Sequence, residues 1–435
     1  MSILECILKQ IRSYGRNAHI PTRSIRLIPV ENPPLGPLLR DPPTALRRTL
    51  KEIDLASLVS KGDRVAVTAG SRGIDRIALV LKTLVDELKG LAAIPFICPA
   101  MGSHGGGTAA GRAALLEHLG VTEKTVGAPV LVADGTVTVD TTPSGVPLYM
   151  SRPAFEADKV IAVNRVKPHT RFTGAIQSGL CKMMLVGLGN RSGARTIHAA
   201  ALRTPFERIA REALPIFAAK TPLTAGIALV ENGEKKLASL AAARADGFTE
   251  VDATLLTEAA KWMPRIPAKE IDLLLVDRFG KEISGTGMDT NVIGRKEDAP
   301  LPRVLRIFAG DLTAASNGNA TGIGFADAIT RRCAEKIDHN ATTINCFTAQ
   351  RPEGARIPAL FENDRDAIEA LLATTGRRDR QEVKVARIAS TASLDRIMMS
   401  PSLIASIEGN ETLRIAGPAQ PLRFDDSGFL EKLTP

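Results

Sequence analysis

The stretch Asp63-Arg64-Val65-Ala66-Val67-Thr68-Ala69-Gly70-Ser71-Arg72-Gly73 is where regular structure first becomes readable. Residues 64–68 form a short run of the kind that makes a buried strand, and Gly70 and Gly73 bracket the turn that ends it. Ile74, Ile77, Leu81, Leu84, Val85 and Leu88 then recur at helical spacing, and Gly90 supplies a stop. The pattern repeats at once. Residues 94–98 read as a strand, Met101-Gly102-Ser103-His104-Gly105-Gly106-Gly107 as a glycine-rich turn, and residues 108–119 as a helix ending at Gly120.

Working outward, further strands are expected at residues 130–133, 159–163 and 227–230. Thr204-Pro205 reads as an N-cap followed by proline at the first helical position. Strands alternating with helices of ten or more residues imply an α/β fold with mostly parallel sheets. In such sheets ligands sit beyond the carboxyl ends of the strands, which is where both glycine turns fall. The first 50 residues, rich in Pro and Arg, read as an extended approach lying over the surface.

A chain of 435 residues exceeds what one core of ~250–300 residues supports, so two domains are expected. The boundary is placed at Trp262-Met263-Pro264-Arg265-Ile266-Pro267, giving domains 1–267 and 268–435. A strand at 271–276 opens the second, followed by a strand at 304–308 and helices at 325–334 and 365–373. The last ~35 residues, from about Ser400, either finish this domain or return to the first.

Composition narrows the function classes. Hydrophobic residues at 44% and charged residues at 24% exclude wholesale disorder, collagen and a coiled-coil rod. Aromatics at 4% are too few for a protein that stacks bases. The net charge of +9 favours anionic partners, but the basic residues are scattered and acids interrupt most of their clusters. A small anionic ligand is therefore expected rather than nucleic acid. Five cysteines, widely spaced and without a Cys-x-x-Cys pair, argue against a disulfide framework or a cysteine zinc site and fit a reducing compartment. No apolar run approaches the ~18–20 residues that span a bilayer, and Glu5 and Lys9 break the N-terminal apolar stretch. The protein reads as cytoplasmic, with no membrane partner.

Of six histidines, His19, His118 and His339 have ordinary surface or capping settings. His104 stands among four glycines, which let the backbone approach a ligand while the following helix N-terminus offers N–H groups to an anion. The glycine spacing matches neither the Rossmann nor the Walker pattern. His169 lies in Asn164-Arg165-Val166-Lys167-Pro168-His169-Thr170, where basic side chains crowd. Lys182 is the only charge in the apolar, glycine-rich run from Ser178 to Gly189. A lysine in such a run is costly unless neutralised, paired or modified, and lysines of that kind serve as bases or attachment points. His198 follows in Arg195-Thr196-Ile197-His198.

Taken in order, Arg72 after a first strand, the Gly-Ser-His turn, Lys-Pro-His, the isolated Lys182 and His198 resemble the nickel-pincer lactate racemase family over roughly the first 270 residues. The resemblance implies a pyridinium-3,5-bisthiocarboxylate mononucleotide linked to Lys182 and carrying nickel, with His198 as the protein's nickel ligand. It implies His104 and His169 as an acid/base pair on a 2-hydroxy acid, with Arg72 binding the substrate carboxylate; Lys281, by its position after the strand at 271–276, is a second expected carboxylate contact. Gly105, Gly106 and Thr108 are the expected cofactor contacts in the glycine turn. Two motifs depart from the family: Ala69-Gly70-Ser71-Arg72-Gly73 lacks the acid of Asp-x-Thr-Arg-Pro, and Gly102-Ser103-His104-Gly105-Gly106 replaces Gly-Thr-His-Arg-Pro. Both point to a divergent branch with another 2-hydroxy acid.

The expectation is thus an α/β isomerase, a racemase or epimerase with its site in an interdomain cleft, a small anionic 2-hydroxy acid as substrate and a homo-oligomer left open. The Ser284-Gly285-Thr286-Gly287 loop after Lys281 is expected to close over that substrate. The alternative is a non-catalytic carrier for the nucleotide or a metal, which would have no use for two histidines beside Lys182.

Overall fold

The computed structural model describes residues 3–14, 20–297, 301–377, 379, 381–407 and 412–433, so His19 lies outside the described residues. Two compact units emerge, Pro34–Met263 and a second made of Met1–Pro33 with Pro264–Pro435. The expected division at 1–267 therefore changes at its front. The first 33 residues are not an extended approach but hold a helix at Ile3–Tyr14 and a strand, β1, at Arg26–Glu31. Strand β1 pairs with Arg396–Met399, Ile28 opposite Met399, which ties it to the later part of the chain. A helix also forms at Pro42–Glu52. Asp41 caps it by accepting the Thr44 N–H, and Pro42 and Pro43 occupy the first turn, where no amide hydrogen is needed.

In the 34–263 unit, strands β2 (Arg64–Ala69), β3 (Ile94–Pro99), β4 (Thr136–Thr141), β5 (Pro147–Ser151), β6 (Lys159–Arg165), β7 (Leu223–Glu231) and β8 (Leu237–Arg244) are formed. Five make a sheet in the order β3-β2-β6-β7-β8, parallel except for β7 with β8, and β4 and β5 form a separate hairpin. Its strands are continuous apolar runs because both faces are covered. Val65, Val67, Ile161 and Val163 pack with Leu81, Leu84 and Leu88 on one side, whereas Ala66, Val160 and Ala162 join Phe172, Leu180 and Met183 on the other. The strand expected at 130–133 is a single bridge from Val130 to Ile97. The helix after Thr204 starts one residue late, at Phe206, with Pro205 as its cap.

In the other unit, strands β9 (Glu270–Phe279), β10 (Arg303–Leu312), β11 (Ala328–Thr330), β12 (Ala359–Phe361), β13 (Val385–Ile388), β14 (Arg396–Met399), β15 (Arg414–Ile415) and β16 (Gln420–Pro421) join β1 in one sheet. Its β12-β11-β10-β9-β13 half is parallel and the remainder antiparallel. The helix expected at 325–334 is instead strand β11 followed by a single turn, Arg331–Ala334, because residues 328–330 are drawn into the parallel sheet. Residues 414–421 pair with β1, so the chain end stays with this unit. Among the described residues no helix is long and apolar enough to cross a membrane.

Candidate active site

Strands β2, β3 and β6 run parallel side by side, and the segments that leave their carboxyl ends carry Arg72, His104 and His169. The fourth element begins at Ser178. Gly179 takes a left-handed backbone (φ +76°), and one helical turn, Gly179–Lys182, follows. Asp252, on the helix Phe248–Trp262, points its carboxylate at the start of that turn and accepts the N–H groups of Leu180 (2.9 Å) and Cys181 (2.8 Å). Asn164 donates to the Gly179 carbonyl at 2.7 Å. Asp252 is 1% exposed, and burial pushes its carboxyl up to about 6 despite the two N–H bonds.

Lys182 closes this turn and leads into a π-helical turn, Met183–Gly187, whose residues are all buried. Such wide turns recur at functional sites. A side chain at Gly187 would meet the Met183 sulfur at 2.6 Å and the Ala100 carbonyl at 3.0 Å, so glycine lets Met183 and this turn pack closely. The Lys182 amine is pushed down to about 7, first by burial and then by the nearby charges of Lys167 and Arg72. Its Nζ lies 5.4 Å from the centre of the Phe172 ring.

Phe172, 3% exposed, is where three of the predicted residues, His169, Lys182 and His198, meet. His169 stacks on it with ring centres 4.2 Å apart, His198 lies at 5.6 Å, and Phe206 packs nearly parallel at 4.3 Å. The His169 loop is closed by Ser178, whose hydroxyl accepts the Lys167 N–H (2.8 Å) and donates to the Lys167 carbonyl (2.6 Å). Gln177 Oε1 accepts the His169 N–H. His169 Nδ1 accepts the N–H groups of Arg171 (3.1 Å) and Phe172 (3.0 Å). It therefore carries no proton, and the neutral ring holds its hydrogen on Nε2.

His198 lies on the helix Asn190–Ala200. Its Nδ1 is buried without a hydrogen-bond partner. Burial, with the charges of Lys182, Arg171 and His104, pushes the imidazole down to about 3, so it stays neutral.

His104 is exposed and meets the Ser71 hydroxyl through Nδ1. Its loop is tied to the π-helical turn by the Gly102 N–H, which donates to the Gly187 carbonyl at 3.2 Å. Gly105 packs against the backbone of Gly111, where a β-carbon would lie 2.7 Å away. The Thr108 hydroxyl accepts the Gly111 N–H at 3.1 Å and so caps the helix Ala109–His118, while Gly106 has open space around it. Arg72 is exposed at its surface and makes no side-chain hydrogen bond or ion pair among the described residues; desolvation of its guanidinium by the surrounding protein, then the charge of Arg165, lower its pKa. Arg165 itself is paired with Glu231.

Lys281 belongs to the other unit. Its N–H donates to the Ser316 hydroxyl (2.8 Å), which in turn donates to the Glu282 carboxylate at 2.9 Å. The glycine-rich loop after it folds back on itself, the Gly280 N–H meeting the Gly287 carbonyl.

Three residues of this geometry went unread in the sequence: Ser71, Phe172 and Asp252. Only Asp252 had a signal. It occupies an apolar position in the helical period Phe248, Leu255, Leu256, Ala259, where a lone carboxylate must have buried donors to face.

Residues 41–210 match the family model described as the lactate racemase N-terminal domain. No curated protein matches the sequence. Among solved structures, the lactate racemase apoprotein from Thermoanaerobacterium thermosaccharolyticum superposes with a TM-score of 0.50 at 16% identity, over 82% of each chain. A Thermotoga maritima protein solved by the Northeast Structural Genomics Consortium gives 0.51 at 14% identity, over 83% of this chain and 99% of the other. At these identities the structures establish a shared fold.

Proposed function

We propose, from the premise that this chain is lactate racemase-like and carries that family's N-terminal domain at residues 41–210, that it racemises or epimerises a 2-hydroxy acid with a nickel-bearing pyridinium nucleotide attached to Lys182. The observation that carries this reading is a pair of nitrogens against Phe172. The Lys182 amine is depressed to about 7, and His198 Nδ1 is buried with no hydrogen-bond partner.

The residues fit the group. Among the described residues no three His, Cys, Asp or Glu side chains converge to hold a metal by themselves. A metal brought in by an organic ligand needs only one protein nitrogen with a lone pair, and a neutral imidazole such as His198 can supply one. An amine near 7 is about half uncharged at neutral pH, so a large share of it is nucleophilic, as covalent attachment requires.

When bound, the group supplies a hydride acceptor for the hydroxyl-bearing carbon. The side chains do the rest. Arg72, unpaired and beside the His104 turn's partner Ser71, offers two parallel N–H groups to the substrate carboxylate. Ser71 at Nδ1 orients His104, whose Nε2 is the atom assigned to take the hydroxyl proton. His169 presents its Nε2–H as a donor to the substrate oxygen, because its Nδ1 is held by two backbone N–H groups.

A carrier protein would need Lys182 and His198 alone. The oriented His104–Ser71 pair supports the enzyme reading over that one.

Protein made in a host that synthesises the nucleotide is expected to show a mass adduct on Lys182 and about one nickel per chain. It should also interconvert the enantiomers of a 2-hydroxy acid by chiral chromatography. An unmodified Lys182 without nickel, under conditions that load a known lactate racemase, would sink the reading. A loaded protein inert toward every 2-hydroxy acid tried would leave the carrier.

A further inference from the structure

The chain's surplus charge is not evenly spread. Between Lys159 and Phe206 stand eight Lys or Arg side chains and no Asp or Glu, so 48 residues hold +8 of the total +9. Of these, Arg165 is neutralised by Glu231. Lys182 would lose its charge on becoming a thioamide. Arg191, Arg195 and Arg203 remain exposed with no side-chain hydrogen bond or ion pair among the described residues, and the first two are neighbours.

Arg191 and Arg195 lie on the helix Asn190–Ala200, and with His198 they occupy positions i, i+4 and i+7, which fall on one helical face. Two like charges four residues apart on a helix are mildly unfavourable by themselves. Arg191 is placed by contact as well: its Cδ would lie 3.4 Å from a β-carbon on Gly107, so its stem packs on the glycine turn that carries His104. The stripe therefore runs from the His104 turn to His198. The Thr108 hydroxyl, which would otherwise serve an anion at that turn, is occupied in capping its own helix.

We propose that Arg191 and Arg195 form a subsite for a second oxyanion group, distinct from the 2-hydroxy carboxylate. That group is either a distal carboxylate on the substrate or the phosphate monoester of the nucleotide. Guanidinium groups suit both, since each presents parallel N–H donors to paired oxygens. The proposal rests on the reading above for the identity of the ligands but not for its test.

The test uses full-length protein from a host without the nickel nucleotide pathway, so that loading of Lys182 does not enter. Calorimetric titrations compare nicotinic acid mononucleotide with its nucleoside, and malate with lactate, in wild type and in R191Q/R195Q. One doubly charged probe is expected to bind at least ~10-fold more tightly than its counterpart, with that advantage lost in the double variant and partly kept in R191K/R195K. Loss confined to the mononucleotide assigns the subsite to the nucleotide phosphate. Loss confined to malate assigns it to the substrate and makes the substrate a dianionic hydroxy acid. The proposal is overturned if wild type shows no advantage for either doubly charged probe, or if R191Q/R195Q retains it in full.

Discussion

The carboxylate of Asp252 occupies the space that a β-carbon on Gly179 would fill. One residue's missing side chain and another's buried charge thus form a single joint, and Lys182 hangs three residues beyond it. Gly179→Ala sets the new methyl against that carboxylate and also strains a left-handed backbone. It should cost about 2–4 kcal/mol in a urea titration. Asp252→Ala leaves the N–H groups of Leu180 and Cys181 buried and unmatched, at a cost of similar size. A variant of either kind with wild-type stability would show that the joint is not formed.

Lys182 gives the unloaded protein a distinctive pH dependence. The unfolded chain keeps the amine's proton until about pH 10.5, whereas the folded protein releases it near 7. Between those values the unfolded state binds the additional proton, so this group's contribution to stability rises as pH climbs from 7 toward 10.5. Lys182→Met removes the penalty. At pH 7 the unloaded variant should be roughly 2–4 kcal/mol more stable than wild type, with the gap closing by pH 10.5. A constant gap across that range would contradict a buried amine.

His104 and His169 should respond differently to the same substitution. Gln at 104 removes the proposed proton acceptor and should lower kcat by about 10²–10⁴-fold. Gln at 169 still offers an N–H, so its loss should be smaller, about tenfold. Ser71→Ala frees the His104 ring and should lower kcat while the mass adduct on Lys182 stays in place. Equal losses at 104 and 169 would show that both act as bases.

Phe172 joins three side chains of the proposed site, His169, Lys182 and His198, through ring contacts. Phe172→Ala should cost about 3–5 kcal/mol and reduce nickel occupancy at fixed nucleotide supply. Phe172→Leu keeps most of the bulk and should restore stability more than occupancy. Unchanged occupancy in both would reduce Phe172 to filler.

Strands β2, β3, β6, β9 and β10 were legible because both faces of each sheet are covered, which writes them as unbroken apolar runs. The turns at their carboxyl ends, with His104 and His169, followed from that. Residues 130–133 have the same apolar look but find only Ile97 to pair with, so no strand forms. Strand β1 was hidden because its six residues include a proline and their partners lie some 370 positions away. Phe172 was silent for a related reason: stacking partners at 169, 198 and 206 come together only through the tertiary fold.

The placement of β1 has a consequence for synthesis on the ribosome. Residues 34–263 emerge whole and can close their five-stranded sheet while β1 waits, since β14 is translated 365 residues after β1 ends. At about 5–20 residues per second that interval is roughly 20–70 s, during which an apolar strand stands without its sheet. Pro29 within β1, which lacks an amide hydrogen, and the charged ends Arg26 and Glu31 make that strand a poor template for a neighbouring nascent chain.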